Sequence, residues 1–437
     1  MYPKLITAQA FMSMFSALAS LRLPSPLDRD TRRLSRGTAT LLVTICLGVL
    51  LSGCARTEGE STKTTSEAEE VFSGVNQFWT IASLLEQGGN PSAEQWNALA
   101  NSPGYRYYFA DAPEALNDFK QRMRLVFRPE NQKALNDTLE AVRGQFDSSL
   151  RTLHVLLAAK RHQDELKAFR EKLSFQDVKR EAEDEAAKLL PDGSFSDDSG
   201  RRRSLSVGMN IYNLAGRSTA DGFVVDFLML RHLGRKGAKL LLAHETHHVG
   251  RTSQLDVPNG SEDPRSALLR TIDDLQAEGI ADLIDKPHAL KRFASRPSDL
   301  DVVGTEWARA YLQGLSPQHK RAYEATPATL QKVDSLVVAA GRADANGDDE
   351  ALAKISTQVA RAIPNKGHPN GHYMATLIAD QIGTDSLANT AENPFAFLDL
   401  YNRAARQSSR SAQPLSPEAV EYLNELEKTY KLSSLNQ

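Results

Sequence analysis

The sequence predicts an α+β protein that is predominantly helical, and three observations lead to this. Apolar residues recur with the period of an α-helix through most of the chain after residue 66. Only two short segments, 204–212 and 222–230, have the density of Val, Ile, Phe and Leu that is typical of strands. The chain is 437 residues long with 41% hydrophobic residues, which is enough for a sizeable core.

The region 67–190 is predicted to be entirely helical. Glycine- and proline-rich breaks at 88–91 and 102–104 separate the first helices. The predicted helices cover 67–87, 93–101, 113–127, 129–158, 163–173 and 176–189.

A compact core is predicted for 191–290, and a helical C-terminal subdomain for 291–437 with a loop at 341–350. The core begins with a polar loop and contains the two predicted strands. The segment Val224-Val225-Asp226-Phe227 is a candidate edge strand beside a cleft; a buried core strand is the other interpretation.

The run His244-Glu245-Thr246-His247-His248 is the main functional motif of the chain. It reads H-E-x-x-H, and the preceding apolar residues 240–243 favour a helix. Positions four apart share one helix face, so His244 and His248 can bind one metal ion. Glu245 can then act as general base toward water.

A third metal ligand is expected, because catalytic zinc usually has three protein ligands and one open position. The apolar pattern of 266–285 predicts a helix that carries Glu278 and, one turn later, Asp282. Glu278 is the preferred ligand, and Asp282 is expected to accept the free ring N–H of a ligand histidine. The other candidate ligands are the acidic residues Glu262, Asp273 and Asp274.

This combination of H-E-x-x-H with E-x-x-x-D on a later helix resembles the glutamate-zincins, the thermolysin-like clan of metallopeptidases. The resemblance implies that His244, His248 and Glu278 bind zinc, that Glu245 is the catalytic base, and that Asp282 supports His244. It also implies a zincin-like core in which antiparallel strands precede the H-E-x-x-H helix.

The chain also resembles a group of bacterial zinc-dependent peptidase lipoproteins of uncharacterised function. Three segments carry this likeness, which covers roughly residues 66 to 405: Trp96-Asn97-Ala98-Leu99, Ser102-Pro103-Gly104-Tyr105 and Gly371-His372-Tyr373-Met374. A glutamate-zincin needs a donor that stabilises the oxyanion, and this donor is often a His or Tyr outside the zinc helices. His372 and Tyr373 are the two candidates, and the sequence does not choose between them.

The N-terminus is predicted to be a signal peptide, residues 1–53. Arginines precede a short apolar run at 41–51, and Leu51-Ser52-Gly53-Cys54 resembles a bacterial lipobox. Lipidation is therefore expected at Cys54, followed by a disordered tether at 54–66. Because Ala55 rather than Asp follows the cysteine, the outer membrane is favoured in a Gram-negative cell.

Composition excludes several other functions for the mature chain. The signal peptide takes away six basic and two acidic residues, which leaves 46 basic and 53 acidic ones. Such a net negative charge argues against nucleic acid as a partner. Cys46 and Cys54 are the only cysteines, so a thiolate zinc site and a cysteine nucleophile are both excluded.

The sequence thus predicts an envelope zinc peptidase, anchored to the membrane by lipid, that acts on a peptide or protein substrate with Zn²⁺ as cofactor. The alternatives are a zinc-binding lipoprotein that serves as a binding or assembly factor, and a hydrolase of non-peptide substrates on the same scaffold.

Overall fold

The structure, a computed structural model, describes residues 67–142, 150–196, 205–219, 222–255, 257, 262–295, 306–409 and 412–430. The predicted signal peptide, Cys54 and the tether at 54–66 lie outside the described residues, as does part of the predicted loop at 191–203. The segment Ala68–Gln437 forms one compact unit that is mostly helical with a small sheet. None of the helices in the described segments is both long and apolar enough to span a bilayer.

The N-terminal helices largely follow the prediction. They are α1 Glu67–Val71, α2 Ser73–Glu86, α3 Ala93–Ala100, α4 Arg106–Phe109, α5 Pro113–Phe127, α6 Gln132–Ala141, α7 Arg151–Arg161, α8 Gln163–Lys172 and α9 Phe175–Ala187. The single helix predicted for 129–158 is wrong. Pro129–Asn131 forms a 3-10 turn at the start, where the fixed φ of proline is tolerated, α6 ends at Ala141 with Val142 as its C-cap, and α7 begins only at Arg151.

The loop between α3 and α4 attaches the N-terminal helices to the sheet. Gly104 lies so close to the next segment that a Cβ on it would be 2.5 Å from the carbonyl carbon of Met209. The buried hydroxyl of Tyr105 donates to the carbonyl of Ile211 at 3.1 Å and accepts from the N–H of the same residue at 3.0 Å. The loop therefore packs directly on the sheet.

The sheet has the strands β1 Ser206–Asn210, β2 Gly216–Thr219 and β3 Gly222–Asp226 in the order β1-β3-β2. β3 pairs with β1 in parallel and with β2 in antiparallel orientation. Antiparallel strands therefore do precede the H-E-x-x-H helix, but the two strands predicted from the sequence, β1 and β3, are parallel to each other. β3 is the central strand and is fully buried, which makes the segment Val224–Phe227 wrong as an edge strand. β1 and β2 form the two edges of the sheet, and the polar sequence of β2, Gly-Arg-Ser-Thr, gives little strand signal.

The long helices α10 Phe227–Gly250 and α11 Ser266–Ser295 follow the sheet. The C-terminal region, as predicted, is helical. Its helices are α12 Glu306–Glu324, α13 Thr326–Ala345, α14 Asp349–Ala362, α15 His368–Gln381, α16 Thr384–Ala388, α17 Pro394–Gln407 and α18 Pro417–Tyr430. The predicted loop at 341–350 is shorter than expected, because α13 continues to Ala345 and α14 begins at Asp349.

Two hydrophobic clusters stabilise the unit. The first is built from the N-terminal helices, the sheet and α10, and the second from α11 and the C-terminal helices. α10 packs against α11, and α11 packs against α15. The helices that carry the candidate site residues therefore lie where the two clusters meet.

Candidate metal centre

α10 positions the H-E-x-x-H motif, and Asp226 determines where this helix begins. Asp226 is completely buried, and its Oδ1 accepts hydrogen bonds from the N–H groups of Leu228 at 2.9 Å and Met229 at 3.2 Å. This is an N-cap, which satisfies amide groups that have no partner inside the helix. A break at Gly234, with φ of 69°, separates the first turns from the long segment that carries the motif.

Three predicted ligands converge at the junction of α10 and α11. Nε2 of His244 lies 3.1 Å from Nε2 of His248. Oε2 of Glu278 lies 3.2 Å from Nε2 of His248 and 3.6 Å from Nε2 of His244. The structure therefore places one donor atom of each residue at the corners of a small triangle, which we call the donor triangle.

The donor triangle fits a zinc ion by size and by chemistry. Tetrahedral zinc with bonds of about 2.0–2.1 Å holds its ligand atoms about 3.3 Å apart, close to the separations seen here. Two imidazoles and a carboxylate are a common ligand set for catalytic zinc. Oε2 of Glu278 is buried and has no hydrogen bond that meets normal geometry within the described residues, as expected of an atom placed to bind a cation.

The electrostatics of the donor triangle also favour a cation. Burial lowers the pKa of His244, but the charge of Asp285 and the hydrogen bonds to Asp285 and Glu278 together outweigh it, and the pKa lies well above that of ordinary histidine. Burial raises the pKa of Glu278, but the charges of His368 and His248 bring it well below its usual value. The negative potential that retains a proton on His244 in the absence of metal would equally attract a divalent ion, which must displace that proton.

The ring N–H of His244 is held by a different aspartate from the one predicted. Nδ1 of His244 lies 3.1 Å from Oδ1 of Asp285, whereas Oδ1 of Asp282 lies 3.6 Å away. Asp285 follows Glu278 by seven residues, which is two turns, so both carboxylates lie on the face of α11 toward α10. The hydrogen bond that was expected to go to Asp282 therefore goes to Asp285.

Asp282 instead connects two cationic side chains. It is completely buried, and its Oδ1 accepts from Nζ of Lys286 at 2.7 Å and lies 3.0 Å from Nδ1 of His368. Lys286 also contacts both oxygens of Asp285, at 3.1 and 3.2 Å. Burial lowers the pKa of Lys286, but the two aspartates outweigh this and raise it above its usual value, so the ammonium group stays charged.

His368 is a site residue that the sequence analysis missed. It is the first residue of α15, its Nδ1 lies 3.3 Å from Oε2 of Glu278, and its ring stacks on that of His244 with centroids 6.0 Å apart. Its spacing from His372, four residues along one helix, was the available signal. That signal was weak, since a pair of histidines without an adjacent acidic residue has many structural explanations.

The candidate base Glu245 is buried under the edge strand. Only 6% of the residue is exposed, and burial raises the pKa of its carboxyl group above the usual value. Gly216 at the start of β2 packs on this carboxylate: a Cβ there would collide with Oε1 and would lie 2.8 Å from Cδ. β2 thus begins directly over Glu245.

The remaining predicted residues lie elsewhere. Asp273 is paired with Arg251 and with the hydroxyl of Ser253, at 2.8 Å from the latter. Neither Glu262, Asp273 nor Asp274 contributes an atom to the donor triangle.

The two candidate oxyanion donors also differ in position. Nδ1 of His372 lies 3.1 Å from Nε2 of His319, and one nitrogen of each is within 4.8 Å of the Asp282 carboxylate. Tyr373 belongs to the second hydrophobic cluster, and its ring packs edge-on against Tyr323 with centroids 5.3 Å apart. His372 is therefore near the metal centre, and Tyr373 packs among core residues.

The arrangement as a whole can hold a divalent ion and present a buried carboxylate beside it. A comparison with family models agrees with this. Residues 96–410, well over half of the chain, match the family described as "Putative zinc dependent peptidase (DUF5700)". The chain belongs to this family. Neither a curated protein nor a solved structure matches the chain.

The region that matches the family, residues 96–410, contains every residue of the donor triangle as well as His368 and His372. It also covers the N-terminal loop that packs on β1. The family description names zinc, and the donor triangle has the size and the ligands that suit this ion.

Proposed function

We propose that this protein is a zinc-dependent peptidase of the glutamate-zincin type. The observation that carries the proposal is the donor triangle of His244, His248 and Glu278, with Glu245 next to the first ligand in the chain. Zinc bound there would polarise the scissile carbonyl and lower the pKa of a water to about 7.

Glu245 would serve as the general base. Its burial raises its pKa toward neutrality, which suits a group that must accept a proton from water and return it to the leaving amine. Because Gly216 has no side chain, the Glu245 carboxylate fits beneath β2, and the backbone of Gly216 restricts its movement on that side. Asp285 would hold the ring of His244 in the orientation that points Nε2 at the metal.

We assign the stabilisation of the developing negative charge to His368, in place of His372 or Tyr373. Asp282 contacts Nδ1 of His368 with both oxygens, at 3.0 and 3.1 Å, which fixes the ring. Nε2 has no hydrogen-bond partner among the described residues and can donate to a substrate oxygen. Burial lowers the pKa of His368, but Asp282 and Glu278 raise it above the usual value, which favours the doubly protonated ring that can donate from Nε2.

The edge strand supports a peptide as the substrate. β2 is paired on one side by β3, and Arg217 and Ser218 in its middle are exposed. An extended peptide can add to such an edge through backbone hydrogen bonds, and it would then run past Glu245. A compact non-peptide substrate would not use this edge.

Cleavage of a peptide library, with zinc and with chelator, tests the proposal when the wild type is compared with Glu245→Gln. The variant should keep stoichiometric zinc and lose hydrolysis, because Glu245 is the base and not a ligand. Glu262→Gln, an exposed residue of the same type, is the matched control and should cleave like wild type. If the wild type and Glu245→Gln both show only a chelator-insensitive background, the peptidase proposal is wrong; zinc retained in both would then favour the binding or assembly factor.

We further propose that the mature protein is anchored to the bacterial envelope through a lipid on Cys54, on the periplasmic side of the outer membrane in a Gram-negative cell. The support is the sequence Leu51-Ser52-Gly53-Cys54 after a basic and apolar signal. Mass spectrometry of membrane-purified protein should find a lipidated N-terminal Cys54. An unmodified internal Cys54 in that material would contradict the anchor.

A further inference from the structure

Two buried histidines face each other beside the donor triangle and have no part in the proposed reaction. His319 of α12 and His372 of α15 are each 9% exposed. Nε2 of the first lies 3.1 Å from Nδ1 of the second, and their ring centroids are 5.3 Å apart. The two nitrogen atoms are thus brought together by different helices, in an environment largely closed to water.

The completely buried carboxylate of Asp282, on α11, faces this pair. One of its oxygens and one ring nitrogen of each histidine all lie within 4.8 Å of one another. Within the described residues Asp282 forms no hydrogen bond with either histidine, although its carboxylate lies close to both. Three helices thus bring together two nitrogens and one oxygen.

We propose that Asp282, His319 and His372 form a second binding site for a divalent transition-metal ion. The nitrogen separation of 3.1 Å is close to the ligand spacing of about 3.3 Å around tetrahedral zinc, and a shift of the carboxylate would complete the set. Imidazole-rich sets of this kind select zinc, cobalt or nickel over magnesium and calcium. A metal bound there would connect α11, α12 and α15.

The protonation state of the two histidines is compatible with metal binding. Burial lowers the pKa of His319 to about 4 and also lowers that of His372 below its usual value. Both rings are therefore neutral at pH 7, the form that coordinates metals. A proton does not have to be displaced here, in contrast to His244.

The existing contacts of Asp282 leave room for a further partner. Lys286 and His368 both contact Oδ1, while within the described residues Oδ2 has a hydrogen-bond contact only with His368, at 3.1 Å. A carboxylate offers about four lone-pair sites, so Oδ2 retains the capacity to bind a cation. The positive charge of Lys286 nearby would weaken the site, and we expect the second ion to bind less tightly than the first.

The number of zinc ions bound per protein tests whether this second site exists in addition to the donor triangle. Purified full-length protein would be titrated with Zn²⁺ alone, and the bound metal measured by mass spectrometry of the digested sample. The wild type should bind two equivalents in two steps. His319→Ala/His372→Ala should bind one, and His244→Ala/His248→Ala should also bind one, with the affinity of the weaker wild-type step. His288→Ala, a histidine of α11 outside both sets, is the control and should bind two.

Saturation of the wild type at one equivalent would overturn the proposal, as would two equivalents in His319→Ala/His372→Ala. Titration with Co²⁺ provides a measurement on the unaltered chain, since the visible absorption of cobalt reports nitrogen and oxygen coordination. Two successive absorbing sites in the wild type support the second site, and a single one contradicts it. This result does not depend on peptidase activity, so a failed peptidase test and a failed second site are distinguishable.

Discussion

Gly279 of α11 and Gly371 of α15 pack backbone against backbone: a Cβ on Gly371 would lie 2.8 Å from Cα of Gly279. Glu278 precedes the first glycine, and His368 and His372 lie on either side of the second. The close crossing of the two helices therefore brings the acidic face of α11 to the histidines of α15.

Alanine at this crossing should separate the two helices. We expect Gly371→Ala to lower the free energy of unfolding by about 1–3 kcal/mol, because the clash is with backbone atoms that cannot move away easily. Chemical denaturation measures this effect. Gln381→Ala, at the exposed end of the same helix, is the control; equal stability of the two variants would contradict the prediction.

Gly216→Ala should reduce catalysis with little effect on stability. The added methyl group meets the far end of the Glu245 side chain, which can rotate away, so folding is largely spared and the base is displaced. We expect kcat to fall by about 10²-fold or more, since proton transfer by a positioned base contributes about 10²–10⁴-fold. Ser335→Ala, at an exposed position of α13 outside the site, should keep wild-type kcat. A normal kcat in Gly216→Ala would show that Glu245 is not confined as described.

Asp285→Asn should weaken zinc binding by about 10–100-fold, because the aspartate orients His244 and adds negative charge behind it. The competition of a chromogenic chelator for zinc measures this affinity. Asp349→Asn, an exposed aspartate of α14, should bind zinc like wild type. An unchanged zinc affinity in Asp285→Asn would rule out its role as the support of His244.

Asp226→Ala should destabilise the protein more than the loss of an ordinary helix cap. Besides capping α10, its Oδ2 accepts from the N–H groups of Tyr212 at 2.8 Å and Asn213 at 3.0 Å. Removing a buried carboxylate with these partners should cost about 2–4 kcal/mol. Asp348→Ala, which removes an exposed cap that accepts from Ala351, should cost about 1 kcal/mol. Equal losses in a denaturant titration would contradict the difference.

The local part of the site could be predicted from the sequence. His244 and His248 share a face because they are four apart on a helix, and Glu278 could be chosen because its helix has a clear apolar pattern. The partner of His244 could not be predicted in the same way. Asp282 and Asp285 both lie on the correct helix, and the distance between α10 and α11, which is a tertiary property, decides which of them reaches Nδ1.

The parts of the site and of the sheet that depend on tertiary contacts could largely not be predicted from the sequence. His368 approaches Glu278 only because the two glycines permit the close crossing, and nothing in the neighbouring sequence of His368 reports that. β2 was missed because its residues are polar, as befits an edge strand. The sequence of β3 left open whether it is an edge or a central strand, because an apolar run does not indicate which strands pair with it.

The contact between Tyr105 and Ile211 bears on how such a peptidase could be kept inactive. Many secreted proteases are held as zymogens by an N-terminal propeptide that is later cut away. In this chain the N-terminal helices are part of the scaffold, because the Tyr105 hydroxyl completes the backbone hydrogen bonding of Ile211 just after β1. Proteolytic removal of the N-terminal helices would leave that strand end unpaired, close to the N-cap of the H-E-x-x-H helix. We therefore expect cleavage among the N-terminal helices to disturb the chain that leads into α10 and to lower the proposed activity rather than to release it.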